Sequence, residues 1–200
     1  WPAGSPTLDW VVAFATGSGV EAVLPSLVEV AGRGRVTVVV GFYLGGTDVH
    51  SLRLLHKASR KTGGKFIVRV AKNSSLHRKV CIFGMRGEVA VLMGSSNLTA
   101  KALTSAGESN GLVRFPAGGG MHRAILRSVP ELASEKNSRP LTPELIRGYD
   151  RLRRRRRGGS VSAQQLGQLL SGGSGNRELG PTAVKRREPT WWQIPIFGFA

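Results

Sequence analysis

The sequence predicts an α/β domain with a mixed sheet that helices cover on both faces. Short runs of apolar, often β-branched residues alternate with stretches that have the apolar spacing of helices. The run at 36–42 is β-branched almost throughout, which is typical of a strand buried on both faces of a sheet. The later runs at 76–83 and 88–94 flank a glycine-containing turn and predict an antiparallel hairpin. Buried parallel strands together with a hairpin indicate a mixed sheet.

The predicted elements alternate between strand and helix ahead of the hairpin. In order, strand, helix, strand, helix and strand are predicted for residues 8–15, 19–31, 36–42, 48–62 and 66–70. After the hairpin, residues 98–106 predict a short helix. Thr142 as N-cap and Pro143 as first residue predict another helix, which continues into a run of arginines. A last short helix is predicted for 161–170.

Composition divides the chain into three predicted segments. These are a main α/β domain over 1–135, a helix with the arginine-rich segment over 136–160, and a linker with a short aromatic tail over 161–200. A polar stretch that contains Pro140 marks the first boundary. The last segment is too short to form an independent sequence-reading domain without a metal or disulfides.

The net charge of +17 at pH 7 is extreme for a chain of 200 residues. Residues 151–200 hold 10 of the 29 basic residues and only 2 of the 12 acidic residues. Such an excess predicts a polyanionic partner, which is either nucleic acid or an anionic membrane surface. Aromatic residues make up only 6% of the chain, and this favours phosphate contacts over base stacking.

Cysteine content and hydropathy bear on where the protein acts. The single cysteine, Cys81, excludes an internal disulfide and is typical of a reducing compartment. No segment approaches the ~20 apolar residues of a membrane span, and no signal peptide is evident. A cytoplasmic location is therefore predicted, with an N-terminal address removed ahead of Trp1 as the alternative.

One part of the chain carries the groups of a candidate reaction. His77 and Lys79 are two residues apart in the first hairpin strand, and alternation would place both side chains on one face. Ser95 and Asn97 follow the second strand, where they can cap a helix and favour an anion. Glu108 follows that helix. An imidazole, a cation, neutral donors and a carboxylate are sufficient to attack a phosphodiester without a metal.

Each of these residues also has a purely structural interpretation. His77 and Lys79 can form the solvent face of a strand. Ser95 and Asn97 can be simple caps, and Glu108 can be a surface carboxylate. The order and spacing of the whole set nevertheless favour a site.

Other polar features are interpreted more plainly. His50 and His56 are assigned to surface or packing roles, and His122 to solvent. The loops at 16–19 and 42–43 lack the spacing of a phosphate-binding loop. They are interpreted as ordinary turns, with a site-lining role for residues 16–19 or for Phe42 and Tyr43 as the alternative.

The motifs at 77–79 and 94–97, together with Glu108, resemble the signature of the phospholipase D superfamily. The resemblance covers about residues 8–115 and is strongest to the nuclease branch, which includes metal-independent endonucleases and restriction enzymes. Many lipid-cleaving members carry an aspartate five residues after the lysine, and this position is Gly84 here. The departure favours a nuclease over a lipid-cleaving enzyme.

The resemblance implies a role for each residue of the set. His77 would attack phosphorus to form a phosphohistidine, or in the partner role would protonate the leaving oxygen. Lys79, Ser95 and Asn97 would bind the non-bridging oxygens, and Glu108 would hydrogen-bond the imidazole. The chemistry needs two histidines and the chain has a single His-x-Lys motif, so the resemblance implies a homodimer with one shared site. It implies no metal and no cofactor.

The activity predicted for the 1–135 domain is therefore that of a hydrolase, a metal-independent DNA endonuclease. The alternatives are a lipid phosphodiesterase or phosphatidyltransferase and a non-catalytic basic DNA-binding module. The lack of an apolar docking stretch near the motif counts against a lipid substrate. The arginine run is either a clamp on the nucleic-acid backbone or a solvated linker, and its members are Arg153, Arg154, Arg155, Arg156 and Arg157.

Overall fold

A computed structural model describes residues 5–85, 87–104, 107–120, 123, 131–155 and 161–171. Within these residues the strands are β1 (Thr7–Val12), β2 (Arg35–Val40), β3 (Phe66–Ala71), β4 (Val80–Met85), β5 (Glu88–Gly94), β6 (Asn110–Pro116) and β7 (Ser138–Pro140). They form one sheet in the order β6-β5-β4-β1-β2-β3-β7. The strands β1, β2 and β3 are parallel, and every other pairing is antiparallel. The predicted mixed α/β sheet is confirmed.

The described helices begin where side chains can cap them. They are α1 (Gly17–Arg33), α2 (Val49–Lys61), α3 (Ala100–Thr104), α4 (Pro143–Arg155) and α5 (Ala163–Ser171). Asp48 caps α2 by accepting from Ser51 N–H at 2.6 Å. Thr142 accepts from Leu145 N–H at 3.3 Å, and this confirms the cap predicted for α4. Capping satisfies backbone donors that have no partner within the helix.

The main core lies between α1, α2, α4 and α5 and one face of the sheet. Its fully buried side chains include Val12 and Val38 from the strands and Leu52 and Tyr149 from the helices. The other face buries a smaller cluster that contains Val11, Val39, Val91 and Ile82, and Leu132 and Ala133 pack against it. The alternation of Val11 with Val12 follows from the two-residue period of a strand.

The structure differs from the sequence prediction at three strands. The first hairpin strand begins at Val80 rather than at residue 76, so residues 76–79 are a loop. Neither β6 nor β7 is predicted from the sequence. The edge strand β6 exposes most of its side chains, and β7 is only three residues long. Pairing with β5 and β3, which are distant in sequence, decides both of these strands.

Residues 138–155 and 161–171, which composition assigns to separate segments, contribute to the main core. Leu145 and Tyr149 from α4 and Leu166 and Leu170 from α5 are almost completely buried in it. The aromatic tail belongs to residues 172–200 and lies outside the described residues. Among the helices that the structure does describe, none is both long and apolar enough to cross a membrane.

Candidate active site

The residues of the predicted site come from loops at one edge of the sheet. The parallel strands β1 and β2 end at this edge. The strand β4 is antiparallel to β1 and therefore begins at this edge. The pairings of β5 with β4 and of β6 with β5 are also antiparallel, so β5 ends and β6 begins at the same edge. The segments 77–79, 94–97 and 108–110 are thereby brought together with the loops that follow β1 and β2.

His77 lies in the loop before β4 and is exposed. The prediction that alternation within a strand aligns His77 with Lys79 is wrong, because β4 begins only at Val80. The imidazole instead packs against the ring of Tyr43, with ring centroids 4.4 Å apart and planes tilted by 51°. This contact is consistent with the site-lining alternative for the loop after β2.

Lys79 is half-buried, and its Nζ donates to the carbonyl oxygen of His77 at 2.9 Å. Burial lowers the pKa of this ammonium, and the negative charge of Glu108 acts in the opposite direction. The backbone also ties this loop to the end of β5, since Gly94 N–H donates to the Lys79 carbonyl at 3.4 Å. Burial is thus the larger influence on the pKa of Lys79, and Glu108 favours the charged form of the ammonium.

Ser95 and Ser96 tie the end of β5 to the start of β6. The Ser95 hydroxyl oxygen accepts from Ser109 N–H at 2.9 Å, and Ser95 N–H donates to the Ser109 carbonyl at 3.0 Å. The Asn110 amide donates to Ser96 Oγ at 2.7 Å. These hydrogen bonds join the end of β5 to the start of β6 and thereby fix the position of the 94–97 loop.

Asn97 is only 9% exposed, and its side chain is oriented by the backbone of β1's exit loop. Its Oδ1 accepts from Phe14 N–H at 3.3 Å. A backbone N–H can only donate, so the oxygen must occupy this position and Nδ2 must point away from it. The Asn97 amide can therefore present a donor to an oxygen of a ligand.

Glu108 is half-buried at the start of β6, where its charge acts on Lys79. No hydrogen bond joins Glu108 to His77 in the structure, although the resemblance implies one. Within one chain the carboxylate is thus arranged to support the lysine rather than the imidazole. Lys79 is linked to both neighbours, since its Nζ donates to the His77 carbonyl and the charge of Glu108 acts on its ammonium.

An apolar groove lies next to Lys79. Its volume is about 210 Å³, and Trp10, Cys81, Leu92 and Leu103 contribute to its lining. Burial, with a smaller contribution from Asp9, raises the pKa of the Cys81 thiol to about 12. These lining residues come from β1, β4, β5 and α3, so they form no apolar stretch in the sequence and are contiguous only in three dimensions.

The two other described histidines, His50 and His56, do not line the groove. On the surface, His50 Nε2 lies 2.9 Å from the Glu21 carboxylate oxygen, which accepts the hydrogen bond, and His56 is half-buried on α2. His122 lies outside the described residues. Among the residues that the structure describes, no three His, Cys, Asp or Glu side chains are grouped so that they could hold a metal ion.

The first arginines of the run have partners within the fold. The guanidinium of Arg153 donates to the carbonyls of Gly45 and Thr47. Arg154 forms an ion pair with Asp150 at 2.9 Å. Arg155 is exposed at the end of α4, and Arg156 and Arg157 lie outside the described residues.

Two residues near the site carry no motif in the sequence. Tyr43 contacts His77 because the loop after β2 leaves the sheet at the same edge as the loop before β4. This contact can be anticipated only once the order of the strands is known. Asn110 holds Ser96 from the first position of β6, and this strand was not predicted. Neither contact could be identified without the register of the sheet.

Comparison with protein-family models gives no match, and comparison with curated proteins gives none either. Among solved structures, the chain is similar to Nuc from Salmonella typhimurium, which is described as a phospholipase D family member. The two chains are 19% identical, with a TM-score of 0.49, over 70% of this chain and 83% of Nuc. At this level the likeness does not assign a chemistry to the chain.

Proposed function

We propose that this protein is a metal-independent phosphodiesterase of the phospholipase D type that cleaves nucleic acid, acting as a DNA endonuclease. The observation that carries the proposal is the meeting, at one sheet edge, of an exposed imidazole, a half-buried lysine and an oriented amide donor. These are His77, Lys79 and Asn97, and they come from separate chain segments. Their convergence favours a site over three independent surface roles.

In the proposed reaction, a nitrogen of the neutral His77 imidazole attacks phosphorus. A P–N bond forms, the P–O bond to the leaving nucleotide breaks, and a second imidazolium gives its proton to the departing oxygen. Water then attacks the phosphohistidine and gives its proton to the second imidazole, which releases the phosphomonoester and restores both histidines. Lys79, Ser95 and Asn97 neutralise or hydrogen-bond the non-bridging oxygens throughout.

The second imidazole is proposed to be His77 of another subunit. The motif occurs once in the chain, and among the described residues no hydrogen bond or ring contact joins His50 or His56 to His77 or Lys79. A two-fold axis beside the 94–97 loop would set two copies of His77 on either side of one phosphate. The proposed active species is therefore a homodimer with one catalytic centre.

The choice of nucleic acid as substrate rests on charge. A net charge of +17 attracts a polyanion over distances longer than any one contact. Lys79 and Glu108 carry opposite charges, so together they add little to the net charge, and most of the positive charge is available for phosphates other than the reacting one.

The proposal is tested by cleavage of plasmid DNA in excess EDTA. We expect wild-type protein to cut, because Lys79 and amide donors can take the place of a metal. His77→Ala should abolish cutting with little loss of DNA affinity, since a nucleophile contributes little to ground-state binding. His56→Ala removes a histidine from α2 and serves as the matched control. A strict requirement for a divalent metal, or normal cutting by His77→Ala, would contradict the proposal.

The apolar groove favours a second candidate function. This is a lipid phosphodiesterase that would use His77, Lys79 and Asn97 in the same roles. Leu92 and Leu103 line the groove, and Leu112, which pairs with Leu92 across β5 and β6, is 56% exposed. An acyl chain could lie on such a surface while Lys79 binds the phosphate. Incubation with anionic phospholipid vesicles in EDTA distinguishes the two candidates, because only the lipid enzyme releases a headgroup.

A further inference from the structure

The loop between β2 and α2 holds an aromatic ring against His77. The centroids of Tyr43 and His77 lie 4.4 Å apart with a tilt of 51°, which is at the close end of the range for favourable ring pairs. Among the residues that the structure describes, no hydrogen bond reaches the imidazole nitrogens of His77. Within the described residues, the ring contact with Tyr43 therefore constrains the position of the imidazole.

Thr47 anchors this loop from within the fold. Its hydroxyl donates to the Gly41 carbonyl at 2.6 Å and accepts from Ala15 N–H at 3.1 Å, so the exits of β1 and β2 share one buried side chain. The hydroxyl of Tyr149 donates to the Thr47 carbonyl at 2.7 Å. Tyr149 is itself fully buried and packs on Phe42 with ring centroids 4.6 Å apart.

Arg153 anchors the same loop from the surface of α4. Its guanidinium donates to the Thr47 carbonyl and, at 3.3 Å, to the Gly45 carbonyl. Between Tyr43 and Gly45, Leu44 adopts a left-handed backbone conformation with φ of 50°. A conformation that is unfavourable for a non-glycine residue persists where the surroundings hold it in place, and it occurs often at functional sites.

We propose that Tyr43 is a positioning residue for His77, and that Tyr149 and Arg153 keep Tyr43 in place through the loop that carries it. The inference rests on the proposed function, because a positioned imidazole matters only if His77 attacks phosphorus. In-line attack requires the nitrogen and phosphorus in near-contact geometry, and misplacement by about 1 Å can slow a reaction by about 100-fold. Tyr43 supplies this constraint from a loop whose backbone is hydrogen-bonded to Ala13, Tyr149 and Arg153.

This inference gives Arg153 a role different from that of a clamp on the nucleic-acid backbone. Its guanidinium donates to two protein carbonyls and lies 5.9 Å from the centroid of the Tyr149 ring. Loss of a phosphate contact would weaken DNA binding and its salt dependence, whereas loss of a positioning contact would lower kcat and leave binding unchanged.

The first experiment compares Tyr43→Leu with Tyr43→Phe. The proton signals of the His77 ring, assigned by their loss in His77→Gln, should be displaced upfield by the Tyr43 ring in wild-type protein. Tyr43→Leu should abolish the displacement and lower the single-turnover rate by about 10- to 100-fold with KM unchanged. Tyr43→Phe keeps the ring, so it should retain most of the upfield displacement and most of the single-turnover rate.

The second experiment compares Arg153→Gln with Arg151→Gln, an exposed arginine on the same helix. Arg153→Gln should reduce the upfield displacement at His77 and lower kcat, and Arg151→Gln should do neither. If Arg153→Gln instead raises KM, reduces the salt slope by about 0.9 and leaves kcat unchanged, Arg153 is a phosphate contact and its assigned role is wrong.

The outcomes separate the two levels of the proposal. A wild-type protein that cuts no nucleic acid would refute the proposed function and, with it, the positioning role. An active wild-type protein whose Tyr43→Leu variant keeps the His77 displacement, or loses it at full rate, would refute the positioning role alone.

Discussion

Lys79 combines partial burial with a carboxylate neighbour, and this gives the proposed enzyme an alkaline limit. Burial lowers the pKa of the ammonium, and Glu108 partly offsets the effect. The charged form, which would neutralise a phosphate, is present below this pKa and is lost as the pH rises through it. We therefore expect cleavage to fall on the alkaline side at a lower pH than an ordinary lysine would give.

Variants at these two positions test this expectation by single-turnover cleavage of an oligonucleotide between about pH 7 and pH 11. Glu108→Gln removes the charge that favours the ammonium, so its alkaline limit should move to lower pH. Lys79→Arg keeps a permanent charge, so any residual activity should lose this limit. Identical alkaline limits in wild-type protein and Glu108→Gln would show that Lys79 does not set it.

Among the elements, α1 approaches the 97–99 segment so closely that a side chain has no space between them. A Cβ on Gly19 would overlap the Leu98 carbonyl, which also accepts from Thr16 N–H at 2.9 Å. The same segment carries Asn97. The closeness of helix and loop therefore contributes to the geometry of the candidate site.

Gly19→Ala should consequently lower the free energy of unfolding by about 1–3 kcal/mol and reduce activity by displacing Asn97. Gly32→Ala is the matched control in the same helix, because a Cβ there meets nothing within 4 Å. That change should be neutral or stabilising by up to about 1 kcal/mol, the difference in helix propensity. Equal effects of the two substitutions in urea denaturation would contradict the close approach.

The arginine run at the end of α4 is the second element with a testable role. Arg153 and Arg154 are engaged within the fold, so the clamp prediction depends mainly on the three arginines that follow. Replacement of Arg155, Arg156 and Arg157 by serine should reduce the slope of log K against log salt by up to about 2.7, which is 0.9 for each lost phosphate contact.

A control variant that removes the same charge elsewhere distinguishes direct phosphate contacts of the arginine run from general electrostatic attraction to DNA. Arg33, Arg60 and Lys61 lie at the C-terminal ends of α1 and α2, on the opposite edge of the sheet from the candidate site. Their replacement by serine removes the same charge and should leave the slope almost unchanged. Equal slopes for both triple variants would make the arginine run a solvated segment.

For the whole molecule, the decisive prediction is the shared site. When wild-type and His77→Ala chains exchange freely at equal concentration, roughly one quarter of the dimers are wild-type homodimers. Only these should be fully active, because a mixed dimer has a single imidazole for two roles. Activity proportional to the number of wild-type chains, or a fully active monomer, would refute the shared centre.

The class of fold and most elements could be predicted from local patterns. The β-branched run at 36–42, the cap at Thr142 and the hairpin turn each contain their own signal within a few residues. The candidate residues His77, Lys79, Asn97 and Glu108 could be selected in the same way, because their types and spacing are properties of the chain.

Tertiary structure decided which of these residues meet and what surrounds them. Sheet register placed His77 in a loop against Tyr43, brought the charge of Glu108 to act on Lys79, and assembled the groove from Trp10 and residues of β4, β5, β6 and α3. It also recruited β7 to β3 across a long stretch of chain. The physical reason is that such contacts join residues far apart in sequence, so they depend on strand order and packing, which no local pattern encodes.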